Sequence, residues 1–345
     1  MSLSRSRKLV GLFLALVTVA ACGGSGEDTK SANAGNGAPA LPGAQLGLVA
    51  YSTPQEAYDK ITDAFSATSE GSKITFTKSY GASGEQSRAV ESGLAADYVA
   101  FSLEPDMTRL VKKDLVAPEW NANPYKGMVT DSVVVFVTRK GNPKNIKTWA
   151  DLTKPGVEVV TPNPFTSGGA RWNVMAGFGQ AVNAGGGSEQ AGVDYLKSLF
   201  RNVSVQDDSA RKSLQTFTSG KGDVLLAYEN EAIFAQQKNQ PIDYVVPEST
   251  ILIENPAAVT RTTKSPAQAE AFLKYLYEPA AQKIFAENGY RPVVPGVTGP
   301  YKFPTPSGLF KIDDFGGWTA VSKKFFDPAG SIMADIQRGN GISVG

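Results

Sequence analysis

Short apolar runs alternate with amphipathic stretches along most of this 345-residue chain. The runs LGLVAYS, KITFTKSY and ADYVAFS have the composition of strands, and the stretches between them place apolar residues at helical spacing. The first of these stretches, Pro54–Ala67, carries Ala57, Ile61, Ala64 and Phe65 on one side. This β–α alternation predicts an α/β fold with a mostly parallel sheet covered by helices.

The alternation continues in the second half of the chain. The run DSVVVFVTRKGNP is the most apolar strand candidate, and EVVTPNP, NVSV, DVLLAYEN, DYVVPES and ILIENPAAVT are further candidates. Helices are predicted at roughly 170–183 and 189–200, and two more are separated at Pro279. Residues 301–345 are rich in turn formers and carry only a weak pattern.

Three loops that join a strand to a helix are rich in small and hydroxyl residues. Their sequences are SYGASGEQ, TPNPFTSGGARW and VQDDSARKS. Ligands of open α/β sheets bind at the carboxyl ends of strands, where such loops lie. The first backbone N–H groups of a helix have no partner within the helix and favour anions. The three loops together therefore predict an anion site.

The middle loop gives the sharpest signal. Ser167 precedes Gly168 and Gly169, which are poor helix formers and allow close approach to the backbone. A ligand at the backbone would explain the two glycines, and a tight turn between strand and helix is the alternative. In the first loop, Ser83 and Gln86 fit a capping box, so an ordinary helix cap is the simpler explanation there.

Two further positions also have ordinary explanations. Ser209 and Ala210 follow the acidic pair Asp207 and Asp208, which suits a capped helix start. Tyr228 lies just past a strand, where half-buried aromatic side chains are common. These residues join a site only if the loops meet in the fold.

Histidine is absent from the sequence, and this excludes several kinds of site. Ser–His and Cys–His nucleophile pairs and histidine-ligated zinc are ruled out. The sequence also lacks a phosphate-binding loop, a dinucleotide fingerprint and residues at metal-ligand spacing, so we expect neither cofactor nor metal. The balance of 34 basic and 33 acidic residues does not indicate polyanion binding, and the basic residues do not cluster with aromatic residues in the manner of a nucleic-acid-binding protein.

The N-terminus has the features of an export signal. Three basic residues precede the apolar run Leu9–Ala21, which is too short for a stable membrane anchor. We predict a signal peptide over residues 1–21. Small residues lead to Cys22, which resembles the lipid-attachment cysteine of bacterial lipoproteins; a free cysteine beside an ordinary signal peptide is the alternative. Residues 22–44, rich in Gly, Ser, Ala and Asn, then form a flexible tether.

Several long motifs resemble those of one family. TPNPFTSGGARWN, YGASGEQ, RKGNPKNIKTWADLTKPGV, GDVLLAYENEA, YLKYLYEP with YRP, and FGGW are similar to motifs of the periplasmic sulfate-binding proteins of ABC importers. The predicted lipid-attachment cysteine makes the chain similar to the lipoprotein form found in Gram-positive bacteria and mycobacteria. The resemblance runs from about residue 47 to 330.

The resemblance implies a two-lobed type II periplasmic-binding-protein (Venus-flytrap) fold, with helices on a mostly parallel sheet in each lobe. Residues 45–128 and 256–345 would form one lobe, and residues 129–255 the other. Two hinge crossovers would lie near 127–132 and 252–258.

The resemblance also implies a site in which uncharged donors, mainly backbone N–H groups at helix starts, hold a dehydrated sulfate. The residues carried over by motif are Ser52, Ser83, Ser167, Gly168, Gly169, Ala210 and Tyr228. Two of them depart from the family pattern. Ser52 stands where Asp is frequent, at a position that acts through its backbone. Tyr228 replaces an indole donor, so the reach and angle of this donor change.

The expected partners are sulfate, the permease subunits of an ABC importer and, through the lipid anchor, the outer face of the cell membrane; we expect a monomer that does not bind nucleic acid. Thiosulfate or molybdate is the alternative ligand. A hydrolase with Ser167 as nucleophile would need Lys212 or Glu229 as its base. A structural or adhesive lipoprotein is a further alternative, but it leaves the loop motifs without a purpose.

Overall fold

The computed structural model describes residues 39–342 and 344. The predicted signal peptide, Cys22 and part of the tether lie outside these residues. The described part contains ten strands. They are β1 (Ala44–Tyr51), β2 (Ile74–Gly81), β3 (Tyr98–Ala100), β4 (Met128–Arg139), β5 (Val159–Val160), β6 (Val203–Val205), β7 (Val224–Tyr228), β8 (Ile242–Val245), β9 (Ser249–Val259) and β10 (Gly308–Phe310).

Eleven α-helices alternate with these strands in the described residues. They are α1 (Gln55–Ser66), α2 (Ser83–Glu91), α3 (Glu104–Lys112), α4 (Gly168–Ala184), α5 (Glu189–Arg201), α6 (Ala210–Thr218), α7 (Glu229–Gln237), α8 (Pro266–Tyr275), α9 (Pro279–Glu287), α10 (Gly317–Phe326) and α11 (Ile332–Gly339). The predicted α/β class is confirmed. None of the described helices combines the length and the apolar character needed to cross a membrane.

The strands form a mixed sheet in the order β2-β1-β3-β9-β4-β7-β5-β6, with β10 beside β9 and β8 beside β4. Pairing is parallel at both ends, among β2, β1 and β3 and among β7, β5 and β6. The central strands β3, β9, β4 and β7 pair antiparallel. The carboxyl ends of the parallel strands therefore lead into the helix starts that build the site described below.

The long strand β4 shows why its sequence is almost continuously apolar. Val133, Val135 and Val137 belong to one hydrophobic cluster, whereas Val134 and Phe136 belong to another. Successive side chains of a strand point to opposite faces of the sheet. Because both faces of β4 are covered, every position from 132 to 138 is buried.

The first part of β4 pairs with the last part of β9. The register runs from Met128 opposite Pro256 to Val133 opposite Leu252, and it shifts near Thr130. These positions coincide with the two crossovers predicted at 127–132 and 252–258. The lobe boundaries at 128/129 and 255/256 remain a prediction.

The turn-rich tail contains two helices that its sequence pattern did not reveal. The ring of Trp318 in α10 packs edge-on against Trp172 of α4, with 4.7 Å between ring centroids. Phe325 packs against Phe178 in the same way. α10 and α11 are ten and eight residues long. Helices this short depend on tertiary packing rather than on intrinsic propensity.

Candidate functional site

Six helix starts meet around one small cavity at the carboxyl ends of the strands. α1, α2, α3, α4, α6 and α7 each contribute residues from their first turn or from the segment just before it. The lining residues are Tyr51, Ser52, Thr53, Ala82, Ser83, Ser102, Ser167, Gly168, Gly169, Ser209, Ala210 and Tyr228. All seven residues named from the sequence line this cavity, and none of the twelve carries a charged side chain.

The start of α4 presents a hydroxyl and two amides to the cavity. Ser167 is the N-cap, and its Oγ accepts a hydrogen bond from the Ala170 N–H at 3.4 Å. The side chain therefore retains its own proton for donation. Gly168 and Gly169 are the first two residues of the helix, where N–H groups have no acceptor within the helix. Three donors thus come from consecutive residues.

Gly168 is required by the protein's own packing. A Cβ placed at Gly168 would lie 2.7 Å from the Ser102 Oγ and 2.7 Å from Leu103 Cδ2. These two residues precede α3. A side chain at Gly168 would therefore push apart α4 and the start of α3, which both border the cavity.

Ser83 does not cap its helix, so the predicted capping box is wrong. The N-cap of α2 is Ala82, and Ser83 is the first helical residue. The Ser83 hydroxyl donates to Asp106 Oδ2 at 2.6 Å and accepts from the Ser102 N–H at 2.9 Å. Gln86 accepts from Ser79 at 3.2 Å instead of reaching back to the helix start. The Ser83 proton is committed to Asp106, and its backbone N–H is the group left for a ligand.

The start of α6 is capped by Ser209 and not by the acidic pair before it, so the acidic capping suggested by the sequence is wrong. Ser209 is the N-cap and accepts from the Lys212 N–H at 3.3 Å. Asp207 does not cap the backbone; it accepts from the hydroxyls of Ser213 and Thr216 at 3.0 and 2.9 Å. Ala210 begins the helix and lines the cavity. Its N–H is one of the groups without a partner within the helix.

Besides Tyr51, which ends β1, sequence reasoning missed two hydroxyl residues of the cavity. Ser102 follows β3 and Thr53 follows β1. Ser52, which the sequence did indicate, precedes Thr53 and is half-buried. The rule that ligands bind at strand ends applies to both missed residues. Neither is followed by a glycine-rich loop of the kind that identified Ser167.

A buried ion-pair cluster lies directly beside the cavity. Arg211 follows Ala210 and donates to Glu56 at 2.8 and 3.0 Å, to Glu231 at 2.8 and 2.9 Å, and to the Thr53 carbonyl at 2.8 Å. Burial lowers the pKa of Arg211, but Glu231 and Glu56 raise it more strongly, so the guanidinium stays charged. The cluster therefore joins α1 to α6 and α7.

The arrangement favours a small anion rather than a metal. Aligned helix starts place partial positive charge and free N–H groups at one point. Hydroxyl and amide groups can hold an anion without a cation if its oxygens are well hydrogen-bonded. Among the residues that the structure describes, no group of three or more Asp, Glu or Cys side chains is placed to hold a metal ion.

Comparison with known proteins shows which family has this architecture. The family model of bacterial extracellular solute-binding proteins matches residues 46–291. The chain belongs to this family. It is 43% identical to a sulfate-binding protein of Synechococcus elongatus over 326 residues, which is 91% of each chain. A thiosulfate-binding protein of Pseudomonas aeruginosa is 34% identical over 296 residues, 82% of this chain and 89% of the relative.

A solved structure supports the same relationship. The sulfate-binding protein SubI from Mycobacterium tuberculosis H37Rv is 42% identical and superposes with a TM-score of 0.80. The match covers 82% of this chain and all of the SubI chain. The family resemblance and the type II α/β fold expected from the motifs are thereby confirmed.

Proposed function

We propose that this protein captures sulfate in the cavity at the six helix starts and delivers it to an ABC permease. The convergence of these helix starts on an entirely uncharged lining carries the proposal. The sulfate-binding relatives point to the same ligand. The proposed ligand residues are those expected from the sequence: Ser52, Ser83, Ser167, Gly168, Gly169, Ala210 and Tyr228.

The donors of the cavity suit an oxyanion that carries no proton. Sulfate is fully ionised at neutral pH and needs only donors. Monohydrogen phosphate keeps a proton and favours a site that offers an acceptor. Asp106 is the carboxylate hydrogen-bonded to a cavity residue, and it already accepts the Ser83 proton at 2.6 Å. We therefore expect phosphate to bind poorly.

We further propose that closure of two lobes encloses the ligand. The lobes would be residues 45–128 with 256–345, and residues 129–255. Antiparallel pairing of β4 with β9 at Met128–Val133 supports crossovers at these boundaries. Ser102 and Tyr228 would then belong to opposite lobes, and their hydrogen bond would cross the cleft.

We propose a binding role and no catalysis. Both candidate bases of the hydrolase alternative are engaged in ion pairs: Lys212 pairs with Asp208 at 2.8 Å, and Glu229 pairs with Arg291 at 2.8 Å. Neither of the two lines the cavity. A serine without an adjacent base is a weak nucleophile.

Calorimetric titration of the body from residue 39 onward, which retains the whole of β1, tests the ligand. Sulfate, thiosulfate, molybdate and phosphate would be titrated separately into the same preparation. We expect one sulfate per chain and weak binding of phosphate. Thiosulfate or molybdate binding tighter than sulfate would transfer the proposal to that anion. Equal affinity for phosphate would contradict a site built from donors alone. Sedimentation of the same sample tests the proposed monomer.

We also propose that the protein is a lipoprotein, exported with residues 1–21 as signal peptide and anchored at Cys22 on the outer face of the cell membrane. Fractionation of cells that produce the parent or Cys22→Ala tests this anchor. The parent should sediment with membranes and Cys22→Ala should be released, with the same sulfate affinity. A Cys22→Ala protein that is processed and stays membrane-bound would contradict lipid attachment.

A further inference from the structure

Two hydroxyl groups meet at the wall of the cavity. Ser102 follows β3 and Tyr228 ends β7, and Ser102 Oγ lies 2.6 Å from Tyr228 Oη. Both residues are only 1% exposed, and both line the cavity. The bond joins residues 126 positions apart in the chain. The fold therefore brings the pair together at the proposed ligand.

The backbone of Ser102 is held firmly in this position. Its carbonyl accepts from Trp172 Nε1 at 2.8 Å and from Asn255 Nδ2 at 3.0 Å. Its N–H donates to Ser83 Oγ at 2.9 Å. Gly168 leaves room for its side chain, because a Cβ there would lie 2.7 Å from Ser102 Oγ. The hydroxyl is thus held beside Tyr228 and the cavity.

The hydroxyl pair has one proton more than its mutual hydrogen bond needs. Each hydroxyl carries one proton, and burial raises the pKa of Tyr228 well above its usual value, so the phenol keeps its proton. Their mutual hydrogen bond uses one of the two protons. Asn255 also hydrogen-bonds to Tyr228 and lowers its pKa, because its amide N–H donates to the phenol oxygen. Within the described part of the chain, no side chain accepts the second proton. A buried donor without an acceptor is unfavourable, and an anion in the cavity would accept it.

We propose that Ser102 and Tyr228 act as one unit that supplies a single hydrogen bond to the bound anion. The bond between them can run in either direction, so the free proton lies on either oxygen. This inference rests on the proposed function and adds Ser102 to the residues that contact the ligand. If one hydroxyl is removed, the other turns its own proton toward the anion.

A double-mutant cycle tests the unit, with sulfate as the titrant. The variants are Ser102→Ala, Tyr228→Phe and both together. We expect each single variant to bind within about threefold of the parent, since one donor remains. The double variant should bind about ten- to a hundredfold more weakly, because a hydrogen bond to a charged group is lost. This strong non-additivity identifies a shared donor.

Two results would overturn the proposal. If each single variant loses tenfold or more and the losses multiply, the hydroxyls are separate donors. If all three variants bind like the parent, neither hydroxyl contacts the anion. Tyr58→Phe is the matched control, because Tyr58 and Tyr98 form a buried hydroxyl pair at 2.7 Å that does not line the cavity. Thermal unfolding of every variant separates lost folding from lost binding.

The experiment also separates this proposal from the proposed function. If the parent does not bind sulfate, the sulfate assignment fails, and the same cycle is run with thiosulfate and with molybdate. The shared-donor pattern with either anion would retain the pair as a ligand contact. If none of the three anions binds the parent, the pair has no anionic partner and the inference is wrong.

Discussion

The cavity and the Arg211 cluster are adjacent regions that accommodate negative charge in opposite ways. Ala210 lines the cavity, whose walls are uncharged, while the next residue pairs with the carboxylates of Glu56 and Glu231. The side chain of Glu231 is fully buried, and unlike a bound ligand it never leaves the protein. A fixed carboxylate in such a place requires a partner of opposite charge.

A transient anion has different requirements. Neutral donors at helix starts stabilise charge through many short contacts, and they leave nothing charged and unpaired when the anion departs. A cation in the cavity would remain buried without a partner after release. The comparison indicates that reversible binding favours neutral donors, whereas the neighbouring ion pairs hold the helices that carry those donors.

The largest effect, on the free energy of unfolding, should come from breaking the ion pair between Arg211 and Glu231. Arg211→Met leaves Glu231 buried without a partner, which costs about 3–5 kcal/mol in the free energy of unfolding. Chemical denaturation measures this loss. The double variant Arg211→Met/Glu231→Leu should recover most of it, since no unpaired charge remains. A double variant no more stable than Arg211→Met would show that the cluster acts through packing rather than charge.

The second-largest effect should come from adding a side chain at the wall of the cavity. In Gly168→Val the new side chain collides with Ser102 and Leu103, so we expect sulfate affinity to fall by more than about a hundredfold. Gly330→Val is the control, because a Cβ there meets nothing within 4 Å. Titration calorimetry compares the two variants. Unchanged binding by Gly168→Val would place the anion elsewhere.

Removing one neutral donor should have a smaller effect. Ser167→Ala deletes a hydroxyl of the cavity and should weaken sulfate binding by about 1.5–3 kcal/mol, roughly ten- to a hundredfold. Ser188→Ala removes an N-cap of the same kind from α5, away from the cavity. Both variants lose a cap, so similar stability with different sulfate affinity supports a ligand contact. Equal affinities would restrict Ser167 to capping.

Sulfate affinity and the stability of the fold should depend on pH in different ways. No titratable group lines the cavity except tyrosine, so sulfate affinity should be nearly constant from about pH 5 to 8. At the β4–β9 pairing, burial and then Glu254 raise the pKa of Asp131 to about 7. Between about pH 4 and 7 the folded state therefore holds a proton that the unfolded chain has lost, and stability falls as pH rises.

Denaturation at several pH values measures this decline, and Asp131→Asn should remove the contribution of Asp131. A variant with the same decline as the parent would assign the effect to another group. A steep change in sulfate affinity over the same range would contradict an uncharged donor set.

The smallest effect should come from the exposed side of the ion-pair cluster. Glu56 pairs with Arg211, but its side chain is 30% exposed. Glu56→Gln should therefore change stability by no more than about 1 kcal/mol. Chemical denaturation of Glu56→Gln and of Arg211→Met compares the two losses of stability within one cluster. A loss as large as that of Arg211→Met would mean that Glu56, and not Glu231, dominates the pairing.

Local sequence patterns predicted much of the fold. The strand at LGLVAYS and the helix that follows it are present as β1 and α1, because alternating and helical apolar spacing is a local property. The helices α10 and α11 were not evident from the sequence. Their apolar residues are buried by packing against α4 and α5, which the local sequence does not show. Their short length left too few turns for a clear pattern.

The candidate site was also predicted only in part. Small residues at helix starts identified Ser167, Gly168 and Gly169, because exposed N–H groups follow from the local chain. The bond of Ser83 to Asp106 contradicted the capping box, although both partners were visible in the sequence. Ser102 ends a predicted strand but has no glycine-rich loop after it, and it was recognised only from its place in the cavity lining and its contact with Tyr228.

The sequence by itself determined the α/β alternation, three of the six helix starts that face the cavity and the similarity to solute-binding proteins. The tertiary structure decided which partner each buried hydroxyl meets and which charges Arg211 neutralises. Backbone donors are placed by local conformation, which neighbouring residues specify. A side-chain hydrogen bond depends on partners brought together by topology, such as Arg211 and Glu56, which are 155 residues apart. Only the folded chain specifies that proximity.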